Sequence, residues 1–465
     1  MENFWDFSVW GSLNLIAFLF LGLLFANLLK KSFKFLKASL IPTSVLGGLI
    51  LLIISAVYGS ITGDTFFNSN FFAGKGVNSL EIVTYHALAL GFIAMTFSST
   101  GKKMDKKRST EIFNTGVTTV STYLLQAVFG LGITLLFTLI VPTFFPAAGV
   151  LLPFGYGQGS GQALNYGSIF EEMYGFVGGK SFGLTIAALG FISASIGGVI
   201  HLQILKKRGK LVLNNIADGG MKNLFVQDKN EISMNGTIDK MTVQISIIFI
   251  TYGLAFLLMY FIGELFPSMR SVVFGFNFLF GVLFAVIIKW VLKQLKNKNI
   301  VKKQYTNSFL LTRISNTCFD IMIVAGIAAI RVDLIKDYWH ILLILGLVGL
   351  LITYAYNIFV AKVLFKDYYQ EQFLAMYGML TGTASTGVML LREIDGEFKT
   401  PVAENLVYQN LPAIVFGFPL MFLATLAPQE PLLTLLILFL FFVVMNIILF
   451  RSFIFRKKRE KINNG

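Results

Sequence analysis

The chain has 465 residues, of which 55% are hydrophobic and 13% charged, and its mean hydropathy is +0.73. Such an apolar sequence excludes a soluble globular protein and predicts a polytopic helical membrane protein. A formal net charge of +14 leaves nucleic acid and anionic lipid open as partners, whereas the single cysteine, Cys318, excludes an intrachain disulfide and a cysteine-based metal site. No cofactor is expected.

Apolar runs along the chain predict about eleven membrane spans. They lie near residues 11–29, 39–58, 82–100, 115–141, 182–205, 242–262, 271–292, 310–333, 340–364, 403–425 and 431–450. Lys and Arg cluster after the first, third, fifth and seventh runs and in the C-terminal tail, and they are scarce in the other loops. The positive-inside rule therefore predicts an outside N-terminus and an inside C-terminus. It also attributes the net charge to topology, and no nucleic-acid partner is expected.

Two polar, glycine-rich segments interrupt this pattern. The first begins at Pro153 and reads PFGYGQGSGQALNYGSIFEE, and the second begins at Met379 and opens with MLTGTASTGVMLL. Irregular backbone cannot face lipid, because each unpaired N–H or C=O group there costs several kcal/mol. The predicted topology puts both ends of the first segment outside and both ends of the second inside. We therefore expect two re-entrant hairpins that enter the membrane from opposite faces.

The predicted fold is an all-α polytopic membrane protein made of two inverted-topology repeats of five helices. Each repeat has one re-entrant hairpin loop, and one extra C-terminal transmembrane helix follows. We expect an N-terminal repeat over residues 1–205, a cytoplasmic linker over 206–240, a C-terminal repeat over 241–428, and the extra span with a basic tail over 429–465. One polar loop in each half is the pattern of a transporter whose halves meet at a substrate site.

The first segment alternates glycine with polar residues, which weakens a helix and leaves backbone groups free to bind a ligand. Close packing by small residues is the alternative interpretation, but packing does not explain two glutamines, a serine and an asparagine within eight residues. A phosphate-binding loop is disfavoured because no Lys-Ser/Thr pair follows the glycines. The predicted substrate ligands of this segment are Gln158, Gly159, Ser160, Gly161, Gln162 and Asn165.

The second segment offers hydroxyls and backbone carbonyls, which suit a dehydrated cation, and helix N-termini, which attract anionic groups. The substrate ligands predicted in and after it are Thr383, Ser385, Thr386 and Asn405. The predicted cation ligands are Asp320, Gly157, Thr381, Gly382 and Ala384.

Asp320 is included because a buried acid within an apolar span is costly unless it is paired or used. Pairing with Arg313 or with a neighbouring span is the structural alternative. Three single polar residues in spans, Gln126, Asn277 and Asn357, are interpreted as groups that join helices and not as ligands.

With these residues placed, the chain resembles the bacterial sodium/glutamate symporter family. The most specific part runs from Gly157 through Phe176, GQGSGQALNYGSIFEEMYGF, where the family typically has Gly-His-Gly-Thr in place of the initial Gly-Gln-Gly-Ser. The family's second loop commonly contains a proline that the segment Thr381–Thr386 lacks. The resemblance implies sodium coupling, glutamate as substrate, a homodimer, an elevator-like movement, and location in the bacterial cytoplasmic (inner) membrane.

We therefore predict a secondary-active symporter that imports an anionic amino acid, with glutamate preferred and Na+ as the coupling ion. The expected partners are this substrate, sodium, the lipid bilayer and a second copy of the chain. A transporter of the same fold for a di- or tricarboxylate is the nearest alternative. A membrane-embedded enzyme would need a nucleophile–base pair or a metal cluster, and neither spacing appears. A passive channel is disfavoured because two different re-entrant loops suit alternating access.

Overall fold

The structure is a computed structural model that describes residues 3–98, 106–208, 238–267, 270–300, 303–396 and 399–452. Across these ranges the chain folds into α-helices joined by short 3-10 turns, without strands. The helices are α1 (Phe7–Ser32), α2 (Lys34–Ala38), α3 (Thr43–Thr62), α4 (Gly76–Ser98), α5 (Lys106–Thr138), α6 (Leu151–Gln158), α7 (Ser160–Tyr174), α8 (Gly179–Lys207), α9 (Lys240–Leu265), α10 (Arg270–Gly275), α11 (Asn277–Asn297), α12 (Ser308–Ala328), α13 (Val332–Ile335), α14 (Trp339–Leu364), α15 (Tyr369–Leu380), α16 (Ala384–Arg392), α17 (Val402–Tyr408), α18 (Asn410–Leu426) and α19 (Pro431–Leu449).

Ten helices in the described ranges are long and apolar enough to cross a membrane, so the protein is a multi-pass membrane protein. They contain α1, α3, α4, α5, α8, α9, α11, α12, α14 and α19. The prediction of eleven spans differs from the structure at the tenth, 403–425. Its residues form α17 and α18, and α18 has only 17 residues with Pro419 inside it. Because the helix is interrupted at Gln409, between α17 and α18, neither piece is as long as the ten spanning helices.

The first of two compact units contains residues 1–28, 43–102 and 217–329, with most of α1 and with α3, α4, α9, α10, α11 and α12. Helix α12 packs against α4 and α3. The Ser315 hydroxyl donates to the carbonyl oxygen of Gly91 at 2.9 Å, and the Phe319 ring fills the space beside that glycine. Close contacts at small residues are typical of helix pairs in membranes.

The second compact unit contains residues 29–42, 103–216 and 330–465, with α2, α5 to α8 and α13 to α19. Helix α8 is the most buried of its spanning helices, since 67% of the residues in its most apolar stretch are buried. It packs against α6, α7, α14 and α15. Buried apolar side chains join α14, α15 and α16, among them Phe373, Tyr377 and Leu390.

Each compact unit combines chain segments from both sides of the predicted linker. The four predicted segments, 1–205, 206–240, 241–428 and 429–465, stay predictions. Residues 209–237, most of the linker, lie outside the described ranges, as does the basic tail from residue 453 onwards.

Candidate functional site

The first helix break separates α6 from α7 at Gly159. Its φ of 84° and ψ of −177° form a combination that is essentially restricted to glycine. Because α6 ends at Gln158 and α7 begins at Ser160, the last carbonyl groups of one helix and the first N–H groups of the other lie at the same break. The Tyr123 hydroxyl on α5 donates to the carbonyl oxygen of Gly157 at 3.0 Å.

Gln162, in the first turn of α7, is the least satisfied polar side chain of this break. It is 1% exposed, and within the described ranges neither atom of its amide group has a hydrogen-bond partner. An unsatisfied buried polar group costs about 1–3 kcal/mol, so this amide has free capacity for a partner that the described chain does not supply. Ser160 and Asn165 are also buried, as are the glycines 157, 159 and 161, and Gln158 is partly exposed.

The second helix break lies between the end of α15 at Leu380 and the start of α16 at Ala384. Thr383 is the N-cap of α16, and its hydroxyl accepts the backbone N–H of Thr386 at 3.4 Å. The Thr381 hydroxyl donates back to the Tyr377 carbonyl oxygen at 2.6 Å. Thr381, Gly382 and Thr386 are buried, whereas Thr383 and Ala384 are partly exposed. The side chain of Ser385 lies outside what the structure describes.

The two breaks approach the same point of α8, at Gly190. A methyl group on this glycine would lie 2.7 Å from the carbonyl oxygen of Thr381 and 3.2 Å from the Cα of Tyr156. Tyr156 also donates to the Gly346 carbonyl oxygen at 2.6 Å. Ser193, one turn further along α8, connects the two sides, since its hydroxyl pairs with the Tyr156 hydroxyl at 2.9 Å and its carbonyl accepts from Tyr377 at 2.7 Å. The structure thus places α6, which leads into the first break, and Thr381 of the second break against the same turn of α8.

The two breaks give this unit four helix ends away from the ends of its long spans. The N-termini of α7 and α16 carry partial positive charge from unpaired N–H groups, and the C-termini of α6 and α15 carry partial negative charge from unpaired carbonyls. Such ends can hold anionic groups and cations respectively without any ionised side chain.

Asn405 does not lie at either break. It is buried on α17, and its amide nitrogen donates to the Gln372 side-chain oxygen at 3.5 Å. Gln372 stands eight residues before the end of α15, which corresponds to about 12 Å along a helix. Gln372 in turn donates to the Thr115 hydroxyl on α5 at 3.2 Å, so the described contacts of Asn405 join α17 to α15 and α5.

Asp320 belongs to the first compact unit, whereas both breaks belong to the second. Its side chain is exposed and lies beside the Ser44 hydroxyl of α3, which corrects the expectation of a buried acid. The reason is helical position, because Ser315 and Phe319 occupy the face of α12 that packs against α4. Arg313, the alternative partner of Asp320, lies over the Phe309 ring at 5.2 Å from its centroid.

Gln126 and Asn357, which the sequence analysis interpreted as joining helices, do join helices, but their amides are not fully hydrogen-bonded in the described part of the chain. Gln126 and Asn357 do hydrogen-bond between α5 and α14, and both are buried. Each nevertheless keeps its side-chain oxygen without a hydrogen-bond partner in the described part of the chain. The sequence signal for this is the polar spacing on α5, where Thr118, Thr122 and Gln126 recur every four residues and so share one helix face.

Comparison with known proteins identifies the family. The family model described as sodium/glutamate symporter matches residues 10–399, a range that includes both helix breaks. A search of curated proteins finds no match for this chain. Proteins of this family are transporters and not enzymes. Because the match covers most of the sequence, the chain belongs to the sodium/glutamate symporter family.

Proposed function

We propose that this protein imports glutamate together with sodium, and that the substrate binds where the two helix breaks meet in the second unit. The observation that carries the proposal is the amide of Gln162, which is buried and unpaired in the described chain at the start of α7. An amide offers both a donor and an acceptor, so it can bind a carboxylate or an ammonium group. The family match supports the choice of glutamate and sodium.

The charges of the helix ends complement glutamate. Its two carboxylates match the two N-termini, of α7 and α16, and its ammonium group matches a C-terminal carbonyl end such as that of α6, where the Gly157 carbonyl lies. A dicarboxylate without an amino group would leave that carbonyl end unused. This difference favours an amino acid over the di- or tricarboxylate alternative.

The order of the elements supports the inverted repeat. Each half of the chain gives three spans to the first unit and then a span, a broken helix pair and a further helix to the second unit. In this proposal residues 1–205 and 241–428 are the repeats, and the broken pairs α6–α7 and α15–α16 are the re-entrant hairpins. Because both breaks belong to one compact unit, an elevator-type movement can carry the complete substrate site as one body. The N-terminus faces outside, the C-terminus lies inside, and two copies form a homodimer in the inner membrane.

Electrostatics sets a lower limit on the sodium stoichiometry. Moving one net negative charge inward against an inside-negative potential costs roughly 2.3 kcal/mol per 100 mV. One sodium ion per glutamate only cancels this charge, so accumulation driven by the potential requires at least two.

The test is uptake of labelled glutamate by proteoliposomes that contain the purified protein, with and without a sodium gradient. We expect saturable, electrogenic uptake that needs sodium and is inhibited by glutamate more strongly than by aspartate, glutamine, succinate or citrate. Stronger inhibition by succinate or citrate would show that the preferred substrate is a carboxylate without an amino group and not glutamate. Uptake that is equal without sodium would refute the symport mechanism.

A further inference from the structure

Two side-chain amides join α5 to α14 in adjacent helical turns. The Gln126 amide nitrogen donates to the Thr353 hydroxyl at 2.8 Å, and the Asn357 amide nitrogen donates to the Thr122 hydroxyl at 3.4 Å. The residues of each helix are four apart, which places them on one face. Asn357 also donates to the backbone carbonyl of Thr353 at 2.9 Å. Both amides are therefore bound to the same residue, Thr353.

The hydrogen bonds fix which way each amide points. The Gln126 nitrogen also donates to the carbonyl oxygen of Leu380 at 2.9 Å, so turning this amide over would set its oxygen against a carbonyl oxygen. Turning the Asn357 amide over would likewise set its oxygen against the Thr353 carbonyl. Carbonyl groups accept and do not donate. The orientation with both nitrogens on the carbonyls is therefore the favourable one.

The same orientation leaves two amide oxygens to be satisfied. Gln126 is 0% exposed and Asn357 is 2% exposed, and in the described chain neither side-chain oxygen has a hydrogen-bond partner. On the nitrogen side of the Gln126 amide stand the Thr353 hydroxyl and the C-terminal end of α15, represented by the Leu380 carbonyl. All of these groups are neutral oxygens, and the helix end adds partial negative charge.

Neutral oxygens at a helix C-terminus suit a monovalent hard cation. Carbonyl and hydroxyl oxygens bind hard cations, and transporters use C-terminal helix ends in this way. A divalent ion in a buried site needs compensating carboxylates, which this set of four groups does not contain. A water molecule could also donate to both amide oxygens, and it is the competing occupant.

We propose that sodium binds at this place and that the Gln126 amide turns over when the ion is bound, so that the side-chain oxygens of Gln126, Asn357 and Thr353 and the carbonyl end of α15 at Leu380 are its ligands. The inference rests on the proposed sodium symport and specifies one sodium site of it. Two of its ligands, Gln126 and Asn357, are residues that the sequence analysis interpreted as joining helices. Leu380 directly precedes Thr381 at the second break, so the ion would hold α15 in place and orient the N-terminus of α16 for the substrate.

The main experiment measures sodium binding without substrate or transport. Purified protein in detergent is heated in NaCl or KCl at equal ionic strength, and its unfolding temperature is recorded against sodium concentration. Wild-type protein should be stabilised by sodium and not by potassium. Gln126→Met and Asn357→Leu, which remove one oxygen each at similar volume, should raise the sodium concentration for half the effect about tenfold or more, a change of about 1.4 kcal/mol or more.

The matched control is Asn446→Leu. Asn446 is an amide on α19 whose oxygen accepts from Tyr356 at 2.8 Å and whose nitrogen donates to the Phe442 carbonyl at 2.8 Å. Both ends of this amide are satisfied, so its loss should leave the sodium concentration for half the effect unchanged. If an amide variant does not fold, Thr353→Val removes one oxygen while keeping the side-chain shape, and it should show the same loss.

The possible outcomes separate this site from the proposed function. An unchanged sodium response in the folded variants, equal stabilisation by sodium and potassium, or no cation response, as expected for bound water, would each refute the site. Glutamate uptake by the same proteins is measured in parallel. If uptake needs sodium while the variants keep the wild-type sodium activation, only this site is refuted. If wild-type uptake does not need sodium, the proposed function is refuted.

Discussion

Gly159→Ala tests whether the first helix break forms the substrate site. Gly159 has φ 84° and ψ −177°, and a residue with a Cβ atom held in this region costs about 1–3 kcal/mol. If substrate binding requires the broken geometry, that cost lowers the apparent glutamate affinity roughly fivefold to 150-fold. The measurement is the initial rate of sodium-dependent uptake in proteoliposomes over a range of glutamate concentrations.

Gly132→Ala is the matched control for this prediction. Gly132 lies within α5, and a Cβ atom there would meet no atom within 4 Å. Alanine is also the better helix former, so uptake should stay at the wild-type level. A folded Gly159→Ala protein with unchanged glutamate affinity would show that the break at Gly159 does not shape the substrate site.

Three further substitutions and a labelling experiment test other parts of the reasoning. Gly190→Val should abolish uptake, because its side chain would meet the Thr381 carbonyl oxygen, 2.7 Å from the added Cβ; normal uptake would contradict the close contact of α8 with the second break. Gln162→Leu should weaken glutamate binding about tenfold or more, measured by glutamate-dependent thermal stabilisation, and undiminished stabilisation would remove Gln162 from the site. Asp320→Asn should weaken the sodium dependence of uptake if this carboxylate serves the ion, whereas unchanged sodium activation would assign it a structural role. Single cysteines at Lys180 and Lys207 in a cysteine-free background should react with impermeant reagents from opposite sides, and reaction from the same side would refute the inverted topology.

Local composition was sufficient to predict the first break. Gly159 and its neighbouring glycines interrupt an apolar sequence, and the structure has α6 end and α7 begin there. The tenth predicted span shows the opposite case, because hydropathy over residues 403–425 does not register the break between α17 and α18 at Gln409. Spans can be predicted from average hydropathy, but their continuity depends on individual backbone hydrogen bonds.

The roles of single polar residues could not be predicted, because they depend on partners far along the chain. Gln126 looks like a residue that joins helices, and it does contact Thr353, but its oxygen has no hydrogen-bond partner in the described ranges, which depends on the arrangement of α14 and α15. Asp320 looks buried because its neighbours are apolar, yet its position on α12 leaves it exposed. Hydropathy reports the average environment of a span, whereas these properties depend on which face of the helix a residue occupies.

The second unit is assembled from segments that lie far apart in the chain, and this has a consequence for biosynthesis. Helix α5 enters the membrane early in translation, but the amide nitrogen of its Gln126 donates to Thr353 and Leu380. Until those later segments are made, this polar group of α5 faces the bilayer or temporary neighbours, at the cost of an unsatisfied group. The first half therefore enters the membrane as incompletely packed helices. A truncated product that ends before α14 lacks these partners, and we expect membrane quality-control proteases to degrade it.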